Sequence, residues 1–306
     1  MAAGLSQSHE VSLIAHQKYK SQVKSAVNFV AFDMSGSRYN PWTKYRLKKL
    51  ILATEPQVLH AHASKTAKLL QGILNSLNFP CVVTMHGAKK NIKTYLAFDH
   101  IICVSKRLAQ IVGQPHKVSV VYNGISLNIT AQPFVKNRKF IAIGRLNEVK
   151  GFNLLLAAWQ NIPCELTIIG DGEERDRLEK LIKEYQLADR VKLYGYSNNI
   201  HPLIAEHEAL IVSSLREGGP YTLAETLLLE RPVIGTNVGM MSEFIPTEFL
   251  CEPNNILALQ QLIQNYLKIS DPESSFKTAY VLAQEQLTFT KMIDHTVQVY
   301  QSLFSV

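Results

Sequence analysis

Apolar residues along this chain fall into short runs, separated by longer segments in which apolar and polar residues mix at helical spacing. Runs such as 81–85, 140–144 and 164–169 have the length of buried strands. Segments such as 64–77 and 173–185 have the length and spacing of helices. Because strands and helices alternate, the pattern predicts an α/β fold in which helices cover parallel sheets.

A polar, proline-containing stretch at 126–138 interrupts this alternation and has the composition of a linker. The chain on each side of it is long enough for a domain of ordinary size. We therefore predict two Rossmann-like domains, residues 1–130 and residues 131–287.

The segment 209–236 is the one around which we organise the functional prediction. It contains the apolar strand Leu210–Val212, the loop Glu217–Pro220, a helix beginning near Thr222, and the strand Pro232–Thr236. A strand, loop, helix and strand in this order form a right-handed crossover. Its loop then lies at the carboxyl edge of a parallel sheet, where open α/β sheets bind ligands.

The loop and the start of its helix suit a phosphorylated ligand. Gly218 and Gly219 let the backbone approach a ligand closely. The backbone N–H groups at the helix start, including those of Thr222 and Leu223, have no intrahelical partner and favour an anion such as a diphosphate.

Two carboxylates accompany this loop, Glu217 within it and Glu225 in the first turns of the helix. A carboxylate can accept hydrogen bonds from two neighbouring hydroxyls, as on a ribose or a hexose. Two such groups would suit a nucleotide sugar. The alternative is that both are ordinary acids near a helix N-terminus, favoured there by the helix dipole.

Several motifs resemble those of one enzyme family, the retaining GT-B glycosyltransferases of glycosyltransferase family 4, also called group 1. They are Glu217 and Glu225 with seven residues between them, Arg231–Thr236, Gly239 with Glu243, Thr84–Gly87, and Asn123-Gly124. The resemblance spans nearly the whole chain. It implies a GT-B fold, in which two Rossmann-like parallel-sheet domains face each other across a cleft and the C-terminal helix, residues 288–306, packs back on the N-terminal domain.

The resemblance also implies roles for residues of the donor site. Arg145 and Lys150 resemble the family's diphosphate clamp, in which Arg145 offers a bidentate fork and Lys150 a point charge. Glu225 would hold the ribose hydroxyls and Glu217 the hydroxyls of the sugar. Gly195 stands where the family borders the nucleotide base. A solvated basic turn is the alternative for Arg145 and Lys150.

His86 falls where family members place a histidine beside the transferred sugar, whereas a histidine at a strand end is otherwise more often structural. His62 is a weaker candidate. The family also begins with a strand and a glycine-rich loop, and residues 4–14 here already resemble the family's second strand and the helix before it. We therefore expect that first strand to be missing, with a cost in stability and activity.

Charge separates the two halves of the chain. Residues 1–130 contain 16 Lys/Arg and 4 Asp/Glu, a balance of +12, and residues 131–306 contain 16 and 21, a balance of −5. The basic half suits an anionic membrane surface or a phosphorylated glycolipid. We predict no nucleic-acid partner, because no helix-turn-helix, zinc or RNA-binding signature occurs.

Residues 38–52 have a proline, Pro41, near the expected helix start, and mixed basic, aromatic and apolar side chains follow it. This segment predicts either an amphipathic helix that lies on a membrane or a surface helix whose lysine stems cover the edge of the core. No apolar window is long enough to span a bilayer. The four cysteines lie mostly in apolar runs and are typical of reduced core residues. We expect a cytoplasmic protein, for which peripheral contact with the inner face of the membrane is one option.

We predict no cofactor and no metal, because no Asp-x-Asp pair occurs in the chain and the leaving diphosphate would be neutralised by cations and helix N-termini. The predicted activity is hexosyl transfer, with retention, from a nucleotide diphosphate to a hydroxyl of a glycan or glycolipid, in cell-surface polysaccharide or lipopolysaccharide synthesis. Two alternatives remain. One is a truncated, non-catalytic GT-B protein that binds a nucleotide or a partner, and the other is a sugar-nucleotide epimerase of related architecture.

Overall fold

A computed structural model describes residues 1–37, 39–89 and 91–304. It divides into two compact units, one formed by residues 1–122 with the C-terminal residues from Thr290, the other by Asn123–Phe289. The predicted boundaries were 130/131 and 287/288. The strands of each unit pair in parallel, so the predicted α/β class with parallel sheets is confirmed.

The described residues of the first unit, which we call unit 1, contain six strands in two separate sheets. The strands are β1 (Ser12–Ala15), β2 (Asn28–Ala31), β3 (Leu59–His62), β4 (Cys81–Met85), β5 (His100–Cys103) and β6 (Val118–Val120). β1 pairs in parallel with β2, and β3 to β6 form a four-stranded parallel sheet in sequential order. Within the described residues the two sheets share no ladder, which leaves β1 and β3 each with one unpaired edge.

Helices accompany the unit 1 sheets, and many of the buried apolar residues of this unit form one large cluster. They are α1 (Ala2–Leu5), α2 (Pro41–Ala53), α3 (Ser64–Leu70), α4 (Lys93–Leu96) and α5 (Lys106–Val112). α2 begins at a proline, and the Asn40 side chain caps it by accepting from the N–H groups of Trp42 and Thr43. Leu47 and Ile51 of α2 belong to the same buried cluster as Ala61 of β3 and Val83 of β4, and Ile14 of β1 packs against it, so both sheets contribute to this cluster.

Unit 2 contains one six-stranded parallel sheet in the order β12-β11-β10-β7-β8-β9. Its strands are β7 (Lys139–Ile143), β8 (Glu165–Ile169), β9 (Val191–Gly195), β10 (Ala209–Val212), β11 (Val233–Thr236) and β12 (Leu250–Cys251). The central strands are nearly continuous apolar runs, as expected when helices cover both faces. Its helices are α6 (Phe152–Trp159), α7 (Arg175–Glu184), α8 (His201–Glu206), α9 (Tyr221–Leu228), α10 (Met241–Phe244), α11 (Ile256–Lys268) and α12 (Pro272–Gln286).

The C-terminal helix α13 (Phe289–Ser302) belongs almost entirely to unit 1. Its Tyr300 hydroxyl lies 2.5 Å from Nδ1 of His60 on β3. Ser305 and Val306, which the prediction included in this helix, lie outside the described residues, as does Arg38 of the predicted basic helix.

Two predicted elements were wrong in extent. The helix predicted for residues 64–77 ends at Leu70, and a 3-10 turn, Leu74–Ser76, follows it. The residues Gln57–His60, between helical segments, also predict a strand, and the observed strand β3 instead spans Leu59–His62. In the described part of the chain, no helix is both long and apolar enough to cross a bilayer.

Candidate active site

The order of strands in unit 2 creates a switch point between two neighbouring strands. From β7 the chain adds β8 and β9 on one side, and then returns to add β10 on the other side of β7. The loops that follow β7 and β10 therefore leave the sheet in opposite directions, which opens a crevice at the carboxyl edge where ligands bind in such folds. Lys150 follows β7 and Glu217 follows β10.

Lys150 and Glu217 meet at this crevice although 67 positions separate them. Nζ of Lys150 lies 2.6 Å from Oε1 of Glu217, and the side chains are 23% and 16% exposed. The Ser214 hydroxyl donates to the same carboxylate oxygen at 2.9 Å. Charge-assisted hydrogen bonds of this kind are stronger than neutral ones, and they hold a cation and a carboxylate side by side at the end of the sheet.

A close approach of two backbones holds the two loops together. Gly151 has φ +63, and a Cβ built on it would lie 2.3 Å from the carbonyl oxygen of Ser213. The Ser213 hydroxyl donates to the carbonyl oxygen of Lys150 at 2.8 Å. Only glycine fits a left-handed conformation at such a short distance, so Gly151 lets the Lys150 loop lie against the end of β10.

The glycine loop before α9 is fixed by polar contacts. The carbonyl oxygen of Gly219 accepts a hydrogen bond from Nδ2 of the buried Asn123 at 2.9 Å. Gly218 is buried, and its carbonyl oxygen would lie 2.6 Å from a Cβ built on Gly239. The predicted Asn-Gly motif and the Gly239 motif thus both contact this loop.

Helix α9 begins directly after the loop, with Pro220 in the N-cap position and no side chain capping it. The N–H groups of its first turn, including those of Thr222 and Leu223, therefore have no side-chain partner at the cap. Thr222 is half-buried and Leu223 is buried. The two residues are located as the prediction placed them, at the start of a helix beside the Lys150–Glu217 pair.

Glu225 lies on α9 and contacts a histidine that the sequence analysis did not identify. Nε2 of His201 lies 3.5 Å from Oε1 of Glu225, and the two side chains are 12% and 15% exposed. Burial raises the pKa of the Glu225 carboxyl, and His201 offsets part of this effect by charge and hydrogen bonding. No spacing signal pointed to His201, because it precedes Glu225 by 24 positions on a different element.

Arg145 and Gly195 lie at the same sheet edge but take no part in this cluster. The Arg145 side chain points to solvent and pairs with Glu173 at 3.1 Å, an exposed ion pair that contributes little stability. Gly195 ends β9 with φ +94 and has no neighbouring atom within 4 Å of a built Cβ. The two residues of the predicted clamp therefore have different surroundings in this structure: Lys150 pairs with Glu217, whereas Arg145 points to solvent.

His86, the predicted sugar contact, lies in unit 1 directly after β4. Its Nε2 lies 3.3 Å from Nδ1 of His62, at the end of β3. His60 stacks on His62 with ring centroids 4.3 Å apart, and its Nε2 contacts the Thr84 hydroxyl at 2.7 Å. Desolvation by the surrounding protein lowers the pKa of His86, with Lys89 as a second cause, and lowers that of His62 to about 4.

Among the described residues, no three His, Cys, Asp or Glu side chains are grouped so that they could hold a metal ion. The site in unit 2 instead offers a cation, two carboxylates and an uncapped helix start. Chemically, this arrangement suits an anionic group near the helix and hydroxyl groups near the carboxylates.

Comparison with known proteins gives this arrangement a family. Residues 129–280 match the family model described as glycosyl transferases group 1, and residues 1–129 match the one described as glycosyltransferase family 4. An uncharacterized glycosyltransferase of Methanocaldococcus jannaschii is 26% identical over 240 residues, which are 72% of this chain and 68% of that protein. The lipopolysaccharide core biosynthesis glycosyltransferase LpsE of Rhizobium meliloti is 33% identical over 205 residues, 62% of this chain and 58% of that protein.

Other curated glycosyltransferases are matched over 31% to 64% of their lengths. Among solved structures, Anabaena HepE in complex with UDP has a TM-score of 0.82 at 18% identity, covering 97% of this chain and 94% of that one. This likeness shows the shared fold, two parallel-sheet α/β domains of the GT-B type. Since the two family models together cover residues 1–280, the chain belongs to the group 1 glycosyltransferases, with a family 4 N-terminal unit and a GT-B fold.

Proposed function

We propose that this protein transfers a hexosyl-type sugar from a nucleotide diphosphate to a hydroxyl of a glycan or glycolipid. The observation that carries the proposal is the Lys150–Glu217 pair at the switch point of unit 2, beside the uncapped start of α9. LpsE, a relative, is named for lipopolysaccharide core biosynthesis, which supports a role in cell-surface polysaccharide or lipopolysaccharide synthesis.

Each part of the donor has a matching group in unit 2. The diphosphate would lie at the N–H groups of Thr222 and Leu223, with Lys150 and a reoriented Arg145 neutralising its charge. Glu225 would accept from the ribose hydroxyls and Glu217 from hydroxyls of the sugar. Rotation of Arg145 away from Glu173 costs little, because that ion pair is exposed on both sides.

Glu217 is not proposed as a nucleophile, since Lys150 and Ser214 already hold one of its oxygens. We propose transfer with retention, in which the acceptor oxygen attacks the face from which the diphosphate departs. The bond from the anomeric carbon to the phosphate oxygen breaks as the bond to the acceptor oxygen forms. The acceptor proton passes to the departing phosphate oxygen, while His86 contacts the sugar and the cations stabilise the developing charge.

This chemistry requires no metal or other cofactor, because Lys150, Arg145 and the α9 N–H groups supply the positive charge. Addition of a chelator should leave nucleotide affinity and turnover unchanged. The contrasting result, loss of both with EDTA and recovery with Mg²⁺ or Mn²⁺, would refute the metal-independent form of the proposal.

The acceptor side of the proposal rests on the surface of helix α2. Exposed residues three or four positions apart lie on one face of this helix. We call this face the α2 stripe; it consists of Trp42, Tyr45, Arg46, Lys49 and Leu52. Trp42 is 64% exposed, Tyr45 58% and Leu52 45%. No Asp or Glu occurs between Asp33 and Glu55. Aromatic, apolar and basic groups on one helix face favour peripheral contact with an anionic membrane on the cytoplasmic side.

The α2 stripe can be tested with vesicles of phosphatidylcholine alone and with added phosphatidylglycerol. We expect cosedimentation only with the anionic vesicles, weakened by high salt. Reversing the charges in Arg46→Glu/Lys49→Glu should lower vesicle affinity by tenfold or more, since each basic residue at the surface contributes about 1 kcal/mol. The same reversal at Lys180 and Lys183 on the exposed face of α7 is the control. Equal loss in both variants would contradict a specific role of α2.

Turnover distinguishes the enzyme from the alternatives. The full chain is incubated with UDP-, GDP- and ADP-sugars and a bacterial lipid extract as acceptor. We expect release of nucleoside diphosphate together with a lipid product heavier by one sugar, and a loss of about a hundredfold or more in Lys150→Met. Nucleotide binding without any product would favour a non-catalytic protein. Conversion of the donor sugar to its epimer without acceptor would favour an epimerase.

A further inference from the structure

His201 is a largely buried histidine of unit 2, with 12% of its side chain exposed, and the proposed reaction assigns it no role. It begins α8, and its imidazole lies between Glu225 on α9 and Asn128, which precedes β7. The ring is therefore held on both of its nitrogens by residues from different elements. Such a geometry fixes both the position and the protonation pattern of a histidine.

The contact to Asn128 decides which ring nitrogen carries the proton. The backbone N–H of Asn128 lies 3.2 Å from Nδ1 of His201, and a backbone N–H can only donate. The Asn128 side-chain oxygen Oδ1 is placed 2.5 Å from the same Nδ1, and the Asn128 Nδ2 donates to Oδ1 of Asn199 at 3.0 Å. The backbone N–H is fixed, whereas the oxygen and nitrogen of a side-chain amide can be exchanged, so exchanging both amides lets Asn128 donate to Nδ1 and accept from Asn199. Nδ1 is therefore the acceptor, and the ring proton of the neutral imidazole lies on Nε2, which faces Glu225.

The proton on Nε2 gives Glu225 a defined orientation. One carboxylate oxygen, Oε1, receives this N–H at 3.5 Å, a long contact that tightens if the carboxylate moves toward a bound ligand. In the part of the chain that the structure describes, no other protein donor contacts Glu225. The remaining oxygen, Oε2, is therefore free to accept hydrogen bonds from a ligand, and the donor on Oε1 favours the charged, accepting form of the group.

We infer that His201 is a positioning residue for the ribose-binding carboxylate: it donates from Nε2 to Oε1 of Glu225 and so directs Oε2 toward the ribose hydroxyls. The inference rests on the proposed function, in which Glu225 holds the ribose. It also accounts for the polar chain behind the ring, in which Asn128 contacts the imidazole and Asn199 contacts Asn128. If His201 had only a structural role, it would hold Asn128 in place but would not affect which ligand hydroxyls the site recognises.

Discrimination between ribose and deoxyribose separates these two roles. Binding of UDP, GDP and ADP and of their 2′-deoxy counterparts to the full chain is measured by titration calorimetry. We expect the wild type to bind the ribonucleotide about tenfold more tightly than its deoxy counterpart, the value of one good hydrogen bond. In Glu225→Ala and in His201→Phe this ratio should fall to about one. His201→Gln, whose amide can still donate, should restore part of the ratio.

The outcomes are distinguishable. A ratio near tenfold that survives in His201→Phe, even if overall affinity falls, would overturn the positioning role and leave the proposed function intact. A wild type that binds nucleotides without discrimination would overturn the ribose contact of Glu225, and the inference with it. As a measurement that needs no variant, ¹H–¹⁵N correlation spectra of the histidines should show the His201 proton on Nε2, and a neutral ring protonated on Nδ1 would overturn the inference.

Discussion

Replacing Gly151 with alanine tests whether the loops after β7 and β10 touch as the structure shows. Gly151 has φ +63, and its added Cβ would lie 2.3 Å from the carbonyl oxygen of Ser213. The left-handed conformation costs a non-glycine residue about 1–2 kcal/mol, and relieving an overpacked contact costs a further ~1–3 kcal/mol. The expected total is about 3 kcal/mol.

Gly113 provides a matched control. It has φ +66, but its built Cβ would meet no atom nearer than 3.8 Å. Gly113→Ala should therefore cost only the conformational part, about 1–2 kcal/mol. The difference between the two variants isolates the clash with Ser213 from the cost of the backbone conformation.

Scanning calorimetry and nucleotide titration measure the two consequences. At about 2–4 °C per kcal/mol for units of this size, Gly151→Ala should lower its transition by about 6–12 °C and Gly113→Ala by about half of that or less. Gly151→Ala should also weaken nucleotide binding, because the end of β10 must shift and Lys150 then separates from Glu217. Gly113→Ala should leave binding unchanged. Equal effects of the two variants on stability would refute the close approach of the two loops.

Three further predictions concern two cysteines, a histidine and an arginine. Burial raises the pKa of the Cys103 thiol to about 12 and that of Cys251 to about 11, so thiol reagents at mildly alkaline pH should label neither residue until the protein unfolds, as mass spectrometry can show. Rapid labelling of Cys103 in the folded protein would contradict its burial. Burial also holds the pKa of His60 well below its ordinary value; the unfolded chain therefore binds a proton that the folded chain does not, and stability should fall as pH drops below about 6.5. The urea midpoint should fall less on acidification in His60→Gln than in the wild type. An unchanged dependence of the midpoint on pH would exclude His60 as a cause of the acid destabilisation. Arg231 is buried, and its guanidinium donates to several backbone carbonyls, so Arg231→Met should lower the free energy of unfolding by about 3 kcal/mol, whereas a loss below about 1 kcal/mol in denaturant titrations would show that water replaces these bonds.

The sequence pattern predicted the bounds of an element correctly where neighbouring residues determine those bounds. The strand Cys81–Met85 was predicted with its observed bounds, because all five residues are buried and Pro80 and Gly87 flank the run. The start of α2 was readable from Pro41, a first-turn proline, and the structure adds the capping side chain of Asn40 beside it. These signals act within a few residues of the feature they determine.

Two helices were predicted wrongly, for different reasons. α3 ends at Leu70 instead of residue 77, and Gly72, just beyond its end, lies beneath the side chain of Lys44, whose Nζ would be 2.5 Å from a built Cβ. No local pattern contains that contact. Helix α5 was overlooked despite a readable signal, since the Ser105 hydroxyl caps it by accepting from the N–H of Leu108.

In the candidate site too, features within one contiguous segment were predictable and contacts between distant segments were not. The positions of Glu217 and Glu225 were readable as a spacing in one crossover unit, because loop and helix are contiguous. The partners of these carboxylates were not, since Lys150 and His201 come from other loops and helices that only the sheet order brings to the same edge. The outcome for the basic helix was intermediate: the structure exposes Trp42 and Tyr45, as expected for a membrane contact, while Lys44 covers Gly72, as expected for a surface helix.

Nucleotide binding tests the central claim most directly. UDP, GDP and ADP are titrated into the purified chain, into Glu225→Ala, and into Glu184→Ala, a control at an exposed position near the end of α7. We predict that at least one nucleoside diphosphate binds the wild type and Glu184→Ala equally, and binds Glu225→Ala about tenfold more weakly or worse. A chain that melts cooperatively but binds none of the three, or binds them equally well without Glu225, would contradict the assignment of unit 2 as the donor site.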